Sequence, residues 1–391
     1  MNTQQTAPVG SDGHWHYLDW LRVIAIGILL FYHVGMMFVS WGWHIQNVDS
    51  SELLEAVMRV LHRLRMPLLF VISGAGTAFA LRRRGALAYV WERTRKLFFP
   101  LVFGMLLIVP PQIYWERLFR GQFDGSYLDF YPSVFDFVPY PAGSFSWHHL
   151  WFIVYLFVYS VALLPLFLAL RRMSLSGLER FLRSPGLFLL ALPLGAIEFW
   201  LKPLFPETHN LTRDWYLLCL YGLMFAFGYL LVRFPASLAY AQQRRHLAAG
   251  MTVGIYVYYL VVRPLGWMSP VSDAFLANAF TWFGILAMLG YGRRYLVREN
   301  RFLRWAREVS YPFYIVHQTV IVGVGYWVLP QAWSLWFKFG LSAAASLLIS
   351  IGAVEAVRRV PWLRPCFGMK ALARSQAPRE TTAQNGLTTA R

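Results

Sequence analysis

A chain of 391 residues with 57% hydrophobic and only 14% charged side chains lacks the charge of a soluble domain, where about 25% is usual. That deficit, with apolar runs near 20 residues recurring along the chain, argues against a soluble globular protein and for an all-α polytopic integral membrane protein. The net charge of +17 would suggest nucleic acid in a soluble protein. Here the arginines crowd the short gaps between apolar runs, so the charge reads as membrane topology and no nucleic-acid role is expected.

Residues 1–14 are expected to be a disordered cytoplasmic N-terminus, 15–370 a single transmembrane domain, and 371–391 a disordered cytoplasmic tail. No cleavable signal is visible: the first 17 residues are polar and carry no Lys or Arg, and the apolar stretch after them reads as a retained helix. That first helix, about 18–40, holds Asp19, Arg22 and His33. Arg22 and His33 are about three turns apart at roughly 3.6 residues per turn, so they share a face. With Arg22 at one interface, His33 lies roughly 16 Å deeper, near the middle of a hydrocarbon core about 30 Å thick. An ionisable group at that depth is expensive and is a functional candidate; a packing histidine bonded to a neighbouring helix is the bland alternative. Asp19 and Arg22 read either as an ion pair that fixes helix packing or as a cationic seat for an anionic donor.

The second helix, about 55–81, opens with Arg59, His62, Arg63 and Arg65 and later carries Ser73, Gly74 and Gly76. Cationic and ionisable groups this dense need a water-filled cavity, one that accepts a polar or anionic substrate. The small residues read as helix packing or as close approach to a ligand. A basic turn follows, and Arg93, Arg95 and Lys96 lead into a proline-rich helix at about 97–115. They are a positive-inside flank or a phosphate clamp, since arginine binds phosphate in a bidentate way. After the longest loop, 116–146, a helix at about 148–170 opens with Trp147, His148, His149 and Trp151. These are interface aromatics or a stacking surface for sugars. Further spans are expected at about 186–203, 214–232, 247–265, 275–292, 310–329 and 335–357, and His317 sits inside the ninth. Cys219 and Cys366 should lie at different depths, so no disulfide is expected, and no metal-ligand spacing stands out.

The result is a bundle of about ten transmembrane helices. Counted on alternate sides of such a bundle, 23 Lys and Arg face 9. The richer side belongs in the cytoplasm, which puts both termini there.

Taken together, the motifs resemble the membrane acyltransferase-3 family. The carrying residues are Tyr17-Leu18-Asp19-Trp20-Leu21-Arg22 followed by His33, then Phe70-Val71-Ile72-Ser73-Gly74, then Glu92-Arg93 through Lys96 and Pro100. His149-Leu150-Trp151-Phe152 and Ser310 through His317 complete an ordered set. Lys96 stands where the family's second arginine is expected, with Arg95 beside it. The resemblance implies a multi-pass enzyme of the bacterial inner membrane. It would move an acetyl or succinyl group from cytoplasmic acyl-CoA to a hydroxyl of a periplasmic or cell-surface glycan. No bound cofactor is implied; acetyl-CoA or succinyl-CoA is the co-substrate, and membrane lipid, acyl-CoA and a glycan acceptor are the partners. Arg93, Arg95 and Lys96, with Ser73 and Gly74, would hold the acyl-CoA. Asp19 and Arg22 would position the donor, and His33 would be the general base. His62, Arg63, His149, Trp151 and His317 would face the acceptor. The rival reading is a transporter or flippase for an anionic or sugar-containing substrate, which internal inverted repeats would favour.

Overall fold

The computed structural model describes residues 15–371; the two expected tails lie outside the described residues, Ala371 excepted. Among the described residues the structure is helical, without strands beyond one bridge between Pro139 and Phe145. Backbone groups in a bilayer must be satisfied inside their own segment, which is why apolar runs of this length become helices.

In chain order the helices are α1 (His16–Gly35), α2 (Glu52–Arg83), α3 (Ala86–Phe119), α4 (His148–Ala162), α5 (Leu164–Arg172), α6 (Ser176–Leu182) and α7 (Gly186–Leu201). They continue as α8 (Trp215–Arg233), α9 (Pro235–Gln243), α10 (Arg245–Val262), α11 (Pro270–Tyr295), α12 (Arg301–Val328) and α13 (Leu335–Arg359). Among the described residues six are long and apolar enough to cross a membrane: α1, α2, α3, α8, α11 and α13. Two bent pairs, α4 with α5 at 45° and α6 with α7 at 92°, raise that number to eight if each pair is one span. Every expected apolar stretch falls on helix. α12 misses the apolar threshold although it has 28 residues. Its middle carries His317 and Gln318, both buried.

The starts of α2, α12 and α13 follow ordinary capping chemistry. Ser51, Asn300 and Ser334 each accept a backbone N–H from the first turn that follows. Helix α3 begins at Ala86, so Arg93, Arg95 and Lys96 lie within a helix and not in the loop the sequence suggested. It contains two π-helical turns, Thr94–Phe98 and Gly104–Ile108. Pro110 lacks an N–H for the carbonyl of Leu106, and Tyr131 Oη donates to that carbonyl at 3.1 Å. Thr319 Oγ1 donates to Ile108 O at 2.6 Å in the same region. The broken ladder thus ties α3 to α12 and to the long loop.

Helix α2 lies deep in the bundle against α8. A Cβ on Gly74 would stand 1.8 Å from Phe225 O, and one on Gly228 would stand 1.9 Å from Val71 O. The two helices therefore touch backbone to backbone, as small residues permit. This contact holds the head of α2, with His62 and Arg65, against α1 and the start of α4, where the cavity opens.

Candidate functional site

A cavity of about 650 Å³ lies between the end of α1, the head of α2, the start of α4 and three loops. Eight aromatic rings, among them Trp41, Trp43, Trp147 and Trp151, line it together with histidines 33, 44, 62, 148, 149 and 209. Arg65 and Glu207 add charge to the wall. An apolar, aromatic wall broken by a few convergent polar groups is the usual make-up of a small-molecule site.

His33 stands at the inner end of this wall. Its Nδ1 is buried and has no hydrogen-bond partner among the described residues. The His317 ring lies 5.3 Å from that of His33, and the His149 ring 5.4 Å from that of His317, between centroids. Two of the three have their tautomers set by carbonyls, which only accept. His149 Nε2–H donates to Ile315 O at 2.9 Å, and His317 Nδ1–H donates to Tyr314 O at 2.7 Å. The opposite nitrogens, His149 Nδ1 and His317 Nε2, are left as buried lone pairs without partners. Pro312 and the carbonyl-bonded histidines put unusual demands on α12, yet the helix is unbroken from Arg301 to Val328.

Arg65 is the cation of the cavity. It is 9% exposed, and its guanidinium stacks 3.4 Å above the Tyr32 ring. Nε and Nη1 have no acceptor among the described residues. Buried N–H donors without acceptors on a charged group are costly, and an anion or a developing oxyanion would satisfy them. Tyr32 Oη in turn lies 3.1 Å from His62 Nδ1. On the outer rim Glu207 lies 3.4 Å from His209 and 3.9 Å from His62. Burial holds the Glu207 carboxyl above its usual range, and it pushes the His209 imidazole down to about 4. His209, packed 4.3 Å from the Trp151 ring, is therefore a neutral polar group at neutral pH.

The structure separates residues that the sequence grouped. Arg63 points away from Arg65 and forms a bidentate pair with Glu198 at 2.9 and 3.0 Å. Lys202 and Asn278 bond the same carboxylate at 2.6 and 2.7 Å. This network borders a smaller pocket of about 70 Å³ that shares only a few residues, His62 among them, with the main cavity. His62, His149 and Trp151 line the main cavity; His317 lies behind it, fully buried.

A second polar group sits at the other end of α1. Arg22 Nη1 donates to Asp19 at 3.1 Å, and Arg307 lies 3.4 Å from the same carboxylate. Arg93, of the α3 group, lies within electrostatic range of Arg22. Its guanidinium covers the Tyr89 ring at 4.9 Å and reaches Thr77 Oγ1 at 3.5 Å. Arg95 is exposed, and Lys96 pairs with Glu92 at 2.6 Å on the surface. Ser73 is partly buried, while the open side of Gly74 is filled by the backbone of α8.

Sequence reasoning put Arg65 in the cationic group at the head of α2 but gave it no role in the site, and it left His44, Glu116 and Gln318 out. For Arg65 a signal existed: it is three residues from His62, one turn along the same face, whereas Arg63 is two residues from Arg65, on the opposite side of the helix. For His44, in a loop, and Glu116, at a helix end, no periodicity was available.

A family model for an acyltransferase domain matches residues 15–355. Glucans biosynthesis protein C of Escherichia coli strain K12 is 22% identical over 382 residues, covering 92% of this chain and 96% of that protein. The proteins of the same name from E. coli O157:H7 and strain SMS-3-5 match with the same identity and coverage. No solved structure matches. With the family model spanning nearly all of the described residues, the chain belongs to the acyltransferase-3 family of membrane proteins.

Proposed function

We propose that this protein is an O-acyltransferase of the bacterial inner membrane. It carries an acetyl or succinyl group from cytoplasmic acyl-CoA to a hydroxyl of a periplasmic or cell-surface glycan. The observation that carries the reading is the position of His33, at the inner wall of an aromatic, histidine-rich cavity and on the same helix as the Asp19–Arg22 pair. The relative's name, which concerns glucan biosynthesis, agrees with a glycan acceptor. Stacking rings and neutral polar groups suit a sugar; a guanidinium cluster at the other end of α1 suits a phosphate-bearing donor.

In this reading Arg22, Arg93 and Arg307 receive the phosphates, and Arg95 and Lys96 add charge at the entrance. The acyl thioester extends along α1, past Ser73, toward His33. The glycan hydroxyl enters from the cavity side between Trp151 and His62. His33 takes the hydroxyl proton as the oxygen attacks the thioester carbonyl. The carbonyl becomes a tetrahedral oxyanion, which the unpaired N–H groups of Arg65 stabilise. The C–S bond then breaks, and the thiolate leaves with the proton returned by His33. His149 and His317 form the wall behind His33 and hold its ring in place. In this reading both termini are cytoplasmic, and donor and acceptor are met from opposite sides of the membrane; the distribution of 23 against 9 cationic residues supports that orientation.

The test is turnover by purified protein in nanodiscs, offered acetyl-CoA or succinyl-CoA with and without a periplasmic glycan fraction. Wild type should release free CoA only when glycan is present. His33→Ala should bind donor with unchanged affinity and release CoA at least about 100-fold more slowly, in the range general-base removal costs. Retained turnover in that variant would remove His33 from the chemistry. Folded wild-type protein that binds neither donor would shift the reading to a transporter.

A further inference from the structure

The acyl-transfer reading leaves a second polar cluster in the cavity wall unused. His44 comes from the loop after α1, Glu116 from the end of α3, and His148 from the first turn of α4. One ligand atom from each lies within 4.8 Å of the other two. His44 Nδ1 is 2.6 Å from Glu116 Oε2, and His148 Nε2 is 4.0 Å from that oxygen. The two imidazoles stack with centroids 4.9 Å apart and planes 15° apart. The side chains of Glu116 and His148 are 1% and 2% exposed.

Three features make this more than a hydrogen-bonded pair. First, neither ring nitrogen of His148 has a hydrogen-bond partner among the described residues. A buried imidazole carries one donor and one acceptor, and leaving both idle needs an explanation. Second, His148 has a φ of 40°, in the left-handed region that residues with a Cβ rarely occupy. Such strain persists where the surroundings impose it, often at ligand sites. Third, the remaining atoms are arranged as an outer shell. Tyr140 Oη donates to Glu116 Oε1 at 2.7 Å and Arg120 lies 3.2 Å from the same oxygen, so Oε2 alone faces the histidines. The amides of Gln112 and Gln318 both stand 3.1 Å from His44 Nε2, and both their carbonyl oxygens are buried without partners. An imidazole that ligates through Nδ1 carries its hydrogen on Nε2 and needs an acceptor there. A half-turn of either amide supplies that acceptor and satisfies the idle carbonyl.

We propose that His44 Nδ1, Glu116 Oε2 and His148 Nε2 bind one divalent transition-metal ion, best matched by Zn²⁺. Two imidazoles and a carboxylate are a common three-ligand zinc set that leaves a fourth position open. Calcium and magnesium take oxygen ligands and fit poorly. Binding displaces the Nδ1 proton of His44 to solvent and draws His148 toward Glu116, to ligand distances of about 2.0–2.2 Å. Both imidazoles line the main cavity, so the open position faces the acceptor space. The ion joins three separate segments and fixes the wall that carries Trp43 and Trp147. The inference stands independently of the acyl-transfer reading, because its readout is metal binding.

The experiment uses the full-length chain, purified in detergent through a tag without histidines and stripped with a chelator. Zn²⁺ is titrated against a chromophoric chelator, and Co²⁺ is added separately to read its visible ligand-field spectrum. Wild type should bind one Zn²⁺ per chain, give a low-symmetry four- or five-coordinate Co²⁺ spectrum, and melt at a higher temperature with Zn²⁺ present. His148→Ala should lose roughly 100-fold or more in affinity, with the Co²⁺ spectrum and the thermal shift. Because His148 accepts and donates no side-chain hydrogen bond, that variant stays folded and decides the question. Glu116→Gln should lose the metal too, while His62→Ala, in the same cavity but outside the cluster, should keep it. Folded wild type that binds no Zn²⁺ at micromolar concentration would overturn the site. So would equal binding by wild type and His148→Ala, which would mark adventitious surface binding.

Discussion

Arg63 and Arg65 are two residues apart and have opposite situations. Arg63 is paired twice to a buried carboxylate, and Arg65 is buried with donors to spare. Removing one member of a buried pair strands the other, at a cost of about 3–5 kcal/mol in closed surroundings. The Arg63 side chain is 29% exposed and Glu198 keeps Lys202 and Asn278, so the lower end, about 3 kcal/mol, applies. Arg63→Ala should therefore lower the melting temperature with little change in the turnover of what remains folded. Arg65→Met, which keeps the apolar stem and removes an unsatisfied cation, should leave the melting temperature level or raise it while turnover collapses. Differential scanning fluorimetry beside CoA release separates the two; a matched loss of stability in both variants would make Arg65 a structural residue. Helical spacing alone says that the two arginines point apart, but not which of them meets an acid, because Glu198 lies 135 residues away.

At the level of elements, α2 against α8 is the contact on which the cavity depends. Gly74 and Gly76 look equivalent in sequence and are not equivalent in space. A Cβ at Gly74 would collide with the Phe225 carbonyl, whereas one at Gly76 meets nothing within 4 Å. Gly74→Ala should destabilise by about 1–3 kcal/mol, as overpacking does. Gly76→Ala should be neutral or stabilising by up to about 1 kcal/mol, because alanine is the better helix former. Thermal unfolding of the two variants in one detergent checks this; equal melting temperatures would mean that the helices do not touch backbone to backbone. The sequence's reading of these small residues as packing groups holds for Gly74. Helix α3 shows the opposite case. Its prolines announced an irregular helix, but the side chains that bond its carbonyls, Tyr131 and Thr319, come from elements that no local pattern connects to it.

For the whole molecule, orientation is the property with the widest consequences. If the cation-rich side is cytoplasmic, single cysteines in the 116–146 loop should react with an impermeant maleimide from outside intact cells. Cysteines in the 293–309 segment should react only after permeabilisation. The reverse pattern would exchange the donor and acceptor ends of α1. The class of the protein and the place of its helices were legible from the chain alone. Each follows from composition or from a periodicity within one segment, and the bilayer enforces both by forbidding unsatisfied backbone and isolated charge. The membership of the cavity was not legible. His33, His149 and His317 come from three helices, Arg65 joins them while Arg63 turns away, and His44, Glu116 and His148 meet from one loop and two helix ends. Such groupings depend on which helix faces are pressed together. Helix-to-helix packing, set here by glycines as far apart as Gly74 and Gly228, decides them, and no pattern within a single stretch of sequence contains that information.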